Sequence, residues 1–390
     1  MLLIVIKVSH LITGLSTGGA EMMLYKLLSR KNSTFFEHQV ISMTDQGPVG
    51  EKIQALGVSV KSLGMLRGIP NPLKLRQLVV QLQETRPQIL QTWMYHADLM
   101  GGIAAKLAGN IPVLWGIRHG NLVPDKTKLS TFWTAKVCAY LSDQLPTRII
   151  CCSIASEQIH REIGYTANKM VVIPNGFDLS VFQPEPTARQ SVRQELGIPA
   201  ETLLIGLVGR FDPQKDHRNF VKAASQLQPC LPDVHFLLCG DKISWKNRKL
   251  VEWIELAGMR DRFHLLGLRE DIAYLTAALD IATSASAFGE GFPNVIGEAM
   301  ACGVPCVVTD VGDSAWIVGD TGRVVPPQNA LALANAWQEL IKLGGEGRTA
   351  MGQAARLRIM RRFSLDAIVA QYELLYNSVL QEASYRRRRN

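Results

Sequence analysis

The chain has 390 residues, 47% of them hydrophobic and 19% charged, so it holds enough apolar material for two globular cores of about 190 residues each. No apolar run reaches the roughly 20 residues that a membrane-spanning helix needs, and the apolar start lacks the basic region of a signal peptide. The seven cysteines are an odd number without a CxxC pair, which is typical of a reducing cytoplasm and excludes a disulfide scaffold or zinc site.

The net charge of +8 is unevenly distributed along the chain. Residues 1–180 carry 18 Lys and Arg against 11 Asp and Glu, whereas residues 181–390 carry 24 against 23, and four of those 24 are Arg386–Arg389. Two interpretations stay open, namely solvated surface charge or attraction to an anionic membrane surface. No aromatic-basic nucleic-acid module is visible, so we expect no nucleic-acid partner.

Short apolar, β-branched segments alternate with helical patterns, beginning with a predicted first strand at Leu2–Ile6. The alternation passes through two sets of about six strands, and the glycine-rich loop signals restart near residue 206. This pattern predicts an α/β protein with two doubly wound, Rossmann-like domains. Turn and linker residues between Pro174 and Pro186 mark the boundary. We therefore predict domains at 1–180 and 181–365, followed by a helix and basic tail at 366–390.

A glycine-rich turn, Thr13–Glu21, follows the first strand and precedes a helix. Gly18 and Gly19 permit close backbone approach, and the helix start offers N–H groups to an anion. The glycine spacing does not fit the GxGxxG dinucleotide fingerprint. The turn is either a phosphate-facing loop or a plain tight turn.

Two histidines follow predicted strands of the first domain: His96, and His119 immediately after Arg118. A lone histidine is more often structural than catalytic, but the carboxyl end of a strand in an α/β sheet is where ligands bind. Both histidines are therefore candidate site residues.

The next segment mixes cations with large apolar groups at near-helical spacing, which suits a surface resting on anionic lipid as well as a buried helix face. Its residues are Lys128, Phe132, Trp133, Lys136, Val137 and Tyr140.

The second domain opens with a strand that leads into Gly209-Arg210-Phe211-Asp212-Pro213-Gln214-Lys215. Arg210 and Lys215 are five positions apart at the expected ligand-binding edge of the sheet. Arginine offers a bidentate fork and lysine a point charge, so together they can neutralise a diphosphate.

The most informative segment runs from Phe288 to Gly303 and contains Glu290 and Glu298. Pro293 suits the first position of a helix, which places Glu290 on a loop and Glu298 on the helix. The two carboxylates can then bracket a ligand of roughly 10 Å. The helix start between them, at Asn294 and Val295, suits phosphate. Hydroxyls at both ends and phosphates between them describe a nucleotide-sugar.

Glu-x7-Glu followed by Ala-Met-Ala-Cys-Gly-x-Pro resembles the donor-site signature of family 4 of the retaining glycosyltransferases, also called glycosyl transferases group 1. The resemblance is specific from Gly206 to Pro327 and diffuse before Cys151. It implies the GT-B fold, in which two Rossmann-like domains face each other across a cleft and the last helix crosses back to the first domain.

The resemblance implies a role for each donor-site residue. Arg210 and Lys215 stabilise the departing diphosphate, Glu290 orients the transferred sugar, and Glu298 holds the ribose. His119 is preferred over His96 as the histidine beside the reacting carbon, so Glu290 and His119 are the catalytic candidates.

Further residues are carried over from looser motifs. Gly18 and Gly19 face the donor phosphate, and the loop around Leu268 binds the nucleobase through its backbone. Independently of the resemblance, we predict that His96 shapes the acceptor pocket and that Arg118 contacts an acceptor phosphate.

The implied reaction moves a hexose from a nucleotide-diphosphate sugar to a hydroxyl acceptor with retained configuration. A lipid-linked or cell-surface polysaccharide precursor is the expected acceptor. The sequence has no Asp-x-Asp motif, so neither a metal nor a cofactor is expected. The cytoplasm, or its membrane face, is the expected location. Two rivals remain: a GT-B-like nucleotide-sugar epimerase and a catalytically silent nucleotide-sugar-binding subunit.

Overall fold

The computed structural model describes residues 5–30, 35–66, 71–118, 120, 122 and 128–389. The chain divides into two compact units, which we call unit 1 (residues 1–176 and 365–390) and unit 2 (residues 177–364). The change to unit 2 falls inside the linker segment between Pro174 and Pro186, and the chain returns to unit 1 at Leu365. The final helix therefore belongs to unit 1.

Each unit is built on one parallel sheet. The strands of unit 1 are β1 Ile6–Ile12, β2 Phe36–Ser42, β3 Ser59–Ser62, β4 Ile89–Trp93, β5 Val113–Ile117, β6 Arg148–Cys151 and β7 Met170–Val172. The strands of unit 2 are β8 Leu204–Val208, β9 His235–Cys239, β10 Phe263–Leu265, β11 Ile281–Ser284, β12 Cys306–Thr309 and β13 Gly322–Val325.

Helices connect the strands and cover both sheets. They are α1 Gly19–Ser29, α2 Gly47–Ala55, α3 Pro72–Thr85, α4 Tyr95–Leu107, α5 Leu129–Leu141, α6 Ile154–Glu162, α7 Ala188–Leu196, α8 His217–Leu227, α9 Arg248–Leu256, α10 Ile272–Ala277, α11 Asn294–Ala301, α12 Ser314–Val318, α13 Ala330–Lys342, α14 Gly344–Arg362 and α15 Leu365–Arg389.

The strand order reverses once in each sheet. Unit 1 has the order β3-β2-β1-β4-β5-β6-β7, and unit 2 has the order β10-β9-β8-β11-β12-β13. The reversal lies between β1 and β4 in unit 1 and between β8 and β11 in unit 2, and loops at such points diverge to leave a crevice for ligands. The predicted α/β class with two Rossmann-like doubly wound domains is confirmed.

One strand prediction was wrong, and two strands were not predicted. The first strand begins at Ile6 and ends at Ile12, beyond the predicted Leu2–Ile6. Strand β3 was not predicted, because Ser59–Ser62 is a largely exposed edge strand without an apolar run. Strand β13 was not predicted either, because Arg323 interrupts its apolar pattern.

Apolar clusters lie on both faces of each sheet. In unit 1, α15 covers one face by burying Ile368, Tyr372, Tyr376 and Val379 among residues of β1, β2 and β4. The two ends of the chain therefore share one core. Within the described part of the chain, none of the helices has the length and hydropathy needed to cross a bilayer.

Candidate functional site

The loop after β8 presents the two predicted cations differently. Arg210 is exposed, and its Nε lies 3.3 Å from Oδ2 of Asp212. Lys215 is mostly buried, with 16% of its side chain exposed, and its Nζ lies 2.6 Å from Oε1 of Glu290. Asp212 also accepts a hydrogen bond from the N–H of Gln214 at 2.9 Å, which caps the short 3₁₀ helix that carries Lys215. Asp212 therefore stabilises the conformation of this loop through contacts with Arg210 and Gln214.

The loop after β11 holds Glu290 in a fixed place. Its carboxylate is 8% exposed, and Oε1 accepts a hydrogen bond from Oγ of Ser286 at 2.7 Å as well as one from Lys215. The N–H of Ala287 donates to the carbonyl of Gln214 at 2.8 Å, so the loops after β8 and β11 are joined through backbone as well as side chains. These two strands flank the reversal in strand order, so the pair lies where such sheets bind ligands.

A third loop closes against the backbone of Glu290. Gly312 has a φ of +58°, and a Cβ there would lie 2.3 Å from the carbonyl oxygen of Glu290. The N–H of Asp313 donates to the carbonyl of Gly291 at 3.0 Å. Only glycine tolerates this close approach, so the path of the Glu290 loop depends on Gly312.

Helix α11 begins immediately after this loop. Pro293 is its N-cap rather than its first residue, which corrects the predicted position by one residue, and Asn294 and Val295 form the first turn. Glu298 lies one turn further on and, with Val208 and Val295, lines a cavity of about 20 Å³. The first-turn amides of α11 therefore follow Glu290 directly and precede Glu298, as the spacing indicated.

Leu268 lies in the same unit but at its edge. It follows β10, the outermost strand on that side, and its side chain is 74% exposed. Gly267, with a φ of +67°, turns the chain there, and its carbonyl accepts from the N–H of Gly240. The backbone groups of the loop around Leu268 follow β10, which is two strands away in the sheet from β8, the strand that precedes Lys215.

In unit 1, the glycine-rich turn after β1 ends at helix α1. Gly18 is the N-cap with extended backbone, and Gly19 is the first helical residue. A Cβ on Gly18 would lie 2.4 Å from Oε2 of Glu21, so a carboxylate already occupies the space beside this helix start.

The acceptor candidates are held by neighbouring side chains. His96 is the second residue of α4, its Nε2 lies 3.4 Å from Oγ1 of Thr134, and burial lowers its pKa. The guanidinium of Arg118 lies 4.4 Å from the ring centre of Trp93 and donates to Asn175 and to the hydroxyl of Tyr372 on α15. Arg118 therefore ties the end of β5 to the last helix. His119 lies outside the described residues.

Sequence reasoning missed Ser286, which is fully buried and supports the Glu290 carboxylate. It also missed Asp98, a fully buried acid on α4 whose Oδ1 accepts from Thr92 at 2.5 Å and from the N–H of Gly116 at 3.1 Å. A serine four residues before a glutamate was the only sequence signal for the first, and the second gave none.

Comparison with known proteins places the chain in a family. Residues 202–342 match the model of Glycosyl transferases group 1, and residues 17–181 match that of Glycosyltransferase Family 4. The chain belongs to the group 1 glycosyltransferases of family 4. The family predicted from Glu290 and Glu298 with their flanking residues is thereby confirmed.

Two curated relatives and one solved structure illustrate the similarity. The UDP-Gal:alpha-D-GlcNAc-diphosphoundecaprenol alpha-1,3-galactosyltransferase of Escherichia coli is 27% identical over 66% of this chain and 66% of its own length. The protein EpsF of Bacillus subtilis is 27% identical over 78% of this chain and 79% of its own. HepE of Anabaena, solved with UDP and with UDP-glucose, is 25% identical; its UDP complex covers 96% of this chain and all of its own at a TM-score of 0.82. The GT-B fold is confirmed by these neighbours.

Proposed function

We propose that this protein transfers a hexose from a nucleotide-diphosphate sugar to a hydroxyl acceptor, with retention of anomeric configuration. The observation that carries the proposal is the pairing of Lys215 with Glu290 at the carboxyl ends of β8 and β11, directly before the start of α11. A cation for phosphate, a carboxylate for hydroxyls and the N-terminal end of helix α11 lie together there, which matches the chemistry of a nucleotide-sugar. The UDP and UDP-glucose complexes of HepE support UDP as the first nucleotide to test.

In this proposal the bond between the sugar's C1 and the leaving phosphate oxygen breaks, and the acceptor oxygen bonds to C1 on the same face. The acceptor's proton passes to the departing phosphate. Arg210, Lys215 and the first-turn amides of Asn294 and Val295 stabilise the negative charge that develops on the diphosphate. Glu290 orients the sugar hydroxyls.

The remaining roles are proposed from the family resemblance. Glu298 holds the ribose, backbone groups around Leu268 bind the base, and Gly18 and Gly19 approach the phosphates. His119 contacts the sugar near C1.

We also propose that no metal takes part, because Arg210, Lys215 and α11 can supply the positive charge that a divalent cation would otherwise provide. Within the described residues, no three His, Cys, Asp or Glu side chains are grouped to hold an ion. The activity should therefore persist in EDTA. Loss of activity in EDTA with rescue by magnesium or manganese would refute this part of the proposal.

The acceptor is proposed to be a lipid-linked or polysaccharide precursor. The Escherichia coli relative is named for a diphosphoundecaprenol substrate, which supports this class of acceptor. Helix α5 offers a surface for meeting such a substrate, with Lys128 and Lys136 beside an apolar stripe. The stripe consists of Leu129, Trp133, Val137 and Tyr140, which are 71%, 64%, 43% and 80% exposed. We propose that this α5 stripe rests on the anionic inner face of the membrane, where each basic residue contributes about 1 kcal/mol.

A nucleotide-release assay with a panel of UDP-, GDP-, ADP- and dTDP-sugars and a lipid-diphosphate-sugar acceptor tests the proposal. We expect acceptor-dependent release from one donor, and Glu290→Gln should lower turnover at least about a hundredfold, roughly 2.7 kcal/mol in barrier. Conversion of a free nucleotide-sugar without acceptor would identify an epimerase. Binding of donor without turnover would identify a silent subunit.

A further inference from the structure

The ion pair between Lys215 and Glu290 joins two groups that the proposed function uses for different parts of the donor. Nζ of Lys215 lies 2.6 Å from Oε1 of Glu290, and Oγ of Ser286 binds the same oxygen at 2.7 Å. Lys215 is needed by the diphosphate and Glu290 by the sugar. Each group is therefore paired with the other.

Burial determines the strength of the electrostatic attraction between Lys215 and Glu290. The Lys215 and Glu290 side chains are 16% and 8% exposed, so water screens their attraction only weakly. The neighbouring pair of Arg210 and Asp212 is 57% and 34% exposed at 3.3 Å, and exposed pairs contribute little. A diphosphate that approaches Lys215 must therefore compete with Glu290, whereas its approach to Arg210 meets a weaker competitor.

We propose that the diphosphate of the donor displaces Glu290 from Lys215, so that occupation of the cation by phosphate makes the Glu290 carboxylate available to the sugar hydroxyls. Ser286 donates to Glu290 from its own loop and keeps the carboxylate near the site during the exchange. This inference rests on the proposed function and adds an order to it: phosphate recognition precedes sugar recognition. Binding of a nucleoside diphosphate without sugar breaks the ion pair between Lys215 and Glu290 but offers Glu290 no sugar hydroxyl to bind. We therefore expect a nucleoside diphosphate to bind less tightly than the donor.

The substitution Glu290→Gln tests the effect of the negative charge of the Glu290 carboxylate separately from its hydrogen bonds. The glutamine amide oxygen can still accept from both Lys215 and Ser286, so the geometry is retained while the competing negative charge is removed. By calorimetry with UDP as the probe, we expect Glu290→Gln to bind about tenfold more tightly than wild type, a change equivalent to about 1.4 kcal/mol. The same variant should lose most of the additional affinity of UDP-glucose over UDP.

Three further variants test whether the competition between phosphate and Glu290 acts through Lys215. Lys215→Met should bind UDP more weakly than wild type, and adding Glu290→Gln to Lys215→Met should change affinity by less than about twofold, because the competition acts through Lys215. Asp212→Asn, which keeps the cap on the 3₁₀ helix, should shift UDP affinity much less than Glu290→Gln. Thermal melting of each protein checks folding.

The outcomes distinguish this inference from the function on which it rests. Suppose that wild type binds UDP, that Lys215→Met lowers the affinity for UDP and that Glu290→Gln does not raise it. The exchange is then refuted, whereas the assignment of the donor site is retained. If Glu290→Gln raises the affinity for UDP by the same factor in the Lys215→Met background, the cause is long-range electrostatic repulsion rather than competition for Lys215. The exchange is then also refuted. If neither wild type nor any variant binds UDP, ADP, GDP or dTDP, the proposed function fails with it.

Discussion

The carboxylate of Asp280 and the guanidinium of Arg193 form a buried ion pair in unit 2, with Oδ2 lying 2.6 Å from Nη2. The side chains are 9% and 1% exposed, and the same oxygen accepts from the N–H of Leu204 at 2.8 Å. Arg193 also donates to the carbonyls of Thr202 and Ala278. The pair therefore fixes α7 to the start of β8 and to the turn before β11.

Removing one partner should leave an uncompensated buried charge. We expect Asp280→Ala to destabilise the protein by about 3–5 kcal/mol in urea unfolding. Glu255→Ala is the matched control, because it breaks a pair with Arg260 of 2.5 Å in which both side chains are more than half exposed. The control should cost less than about 1 kcal/mol. Equal losses in the two variants would contradict the assignment.

Two glycines in helices should respond to alanine with opposite signs. A Cβ on Gly297 would lie 2.1 Å from Cζ of the buried Phe177, whereas a Cβ on Gly345 would meet nothing within 4 Å. We expect Gly297→Ala to destabilise by about 1–3 kcal/mol through overpacking. Gly345→Ala should stabilise α14 by roughly 0.5–1 kcal/mol. Thermal or urea unfolding measures both, and a stabilising Gly297→Ala would show that Phe177 can move aside.

Asp98 should make stability depend on pH. Burial raises its pKa from 3.8 to about 7, and Oδ2 has no hydrogen-bond partner among the described residues. Between these two values the folded protein binds more protons than the unfolded chain, so this contribution to the free energy of unfolding falls as pH rises from about 4 to 7. The loss is complete above pH 7.

The variant Asp98→Asn removes that titration while its amide oxygen can still accept from Thr92 and Gly116. We expect it to gain stability relative to wild type as pH rises from 4 to 8. Urea unfolding at four pH values gives the difference between the two proteins, which separates Asp98 from the other carboxylates. A difference that does not vary with pH would contradict the prediction.

The α5 stripe should bind anionic lipid in a salt-dependent way. We expect wild type to sediment with strongly anionic vesicles at low salt and to be released at high salt, because exposed charges are screened. Trp133→Ser with Tyr140→Ser should weaken sedimentation. Leu256→Ser, at a residue as exposed as Tyr140 but on α9 of unit 2, should not. Wild type that stays in the supernatant at low salt would indicate a soluble acceptor instead.

The sequence predicted those parts of the molecule whose cause is local. Strands buried on both faces, such as Phe236–Leu238 within β9, are continuous apolar runs, and the loops that carry Lys215 and Glu290 follow directly from their strand ends. The exposed edge strand β3 left no such signal.

Contacts between distant residues could not be predicted. The guanidinium of Arg118, a predicted acceptor residue, also binds a tyrosine 254 positions later, a contact that the sequence does not reveal. Ser286 is recognisable only through the oxygen that it shares with Lys215, which requires the conformations of two loops to be known. Hydrogen bonds of this kind depend on tertiary packing rather than on spacing along the chain.

The division of the chain also sets an order for folding during synthesis. Unit 2 is a continuous segment whose ends meet, since Phe177 donates to the carbonyl of Phe363 at 2.9 Å, so it can close once residue 364 has emerged from the ribosome. Unit 1 begins first but finishes last, because Tyr372, Tyr376 and Val379 of α15 complete its core. Until the last helix emerges, one face of the unit 1 sheet remains open to water. A chain truncated after residue 364 should therefore contain a complete unit 2 and an incomplete unit 1, in which one face of the sheet is exposed to water.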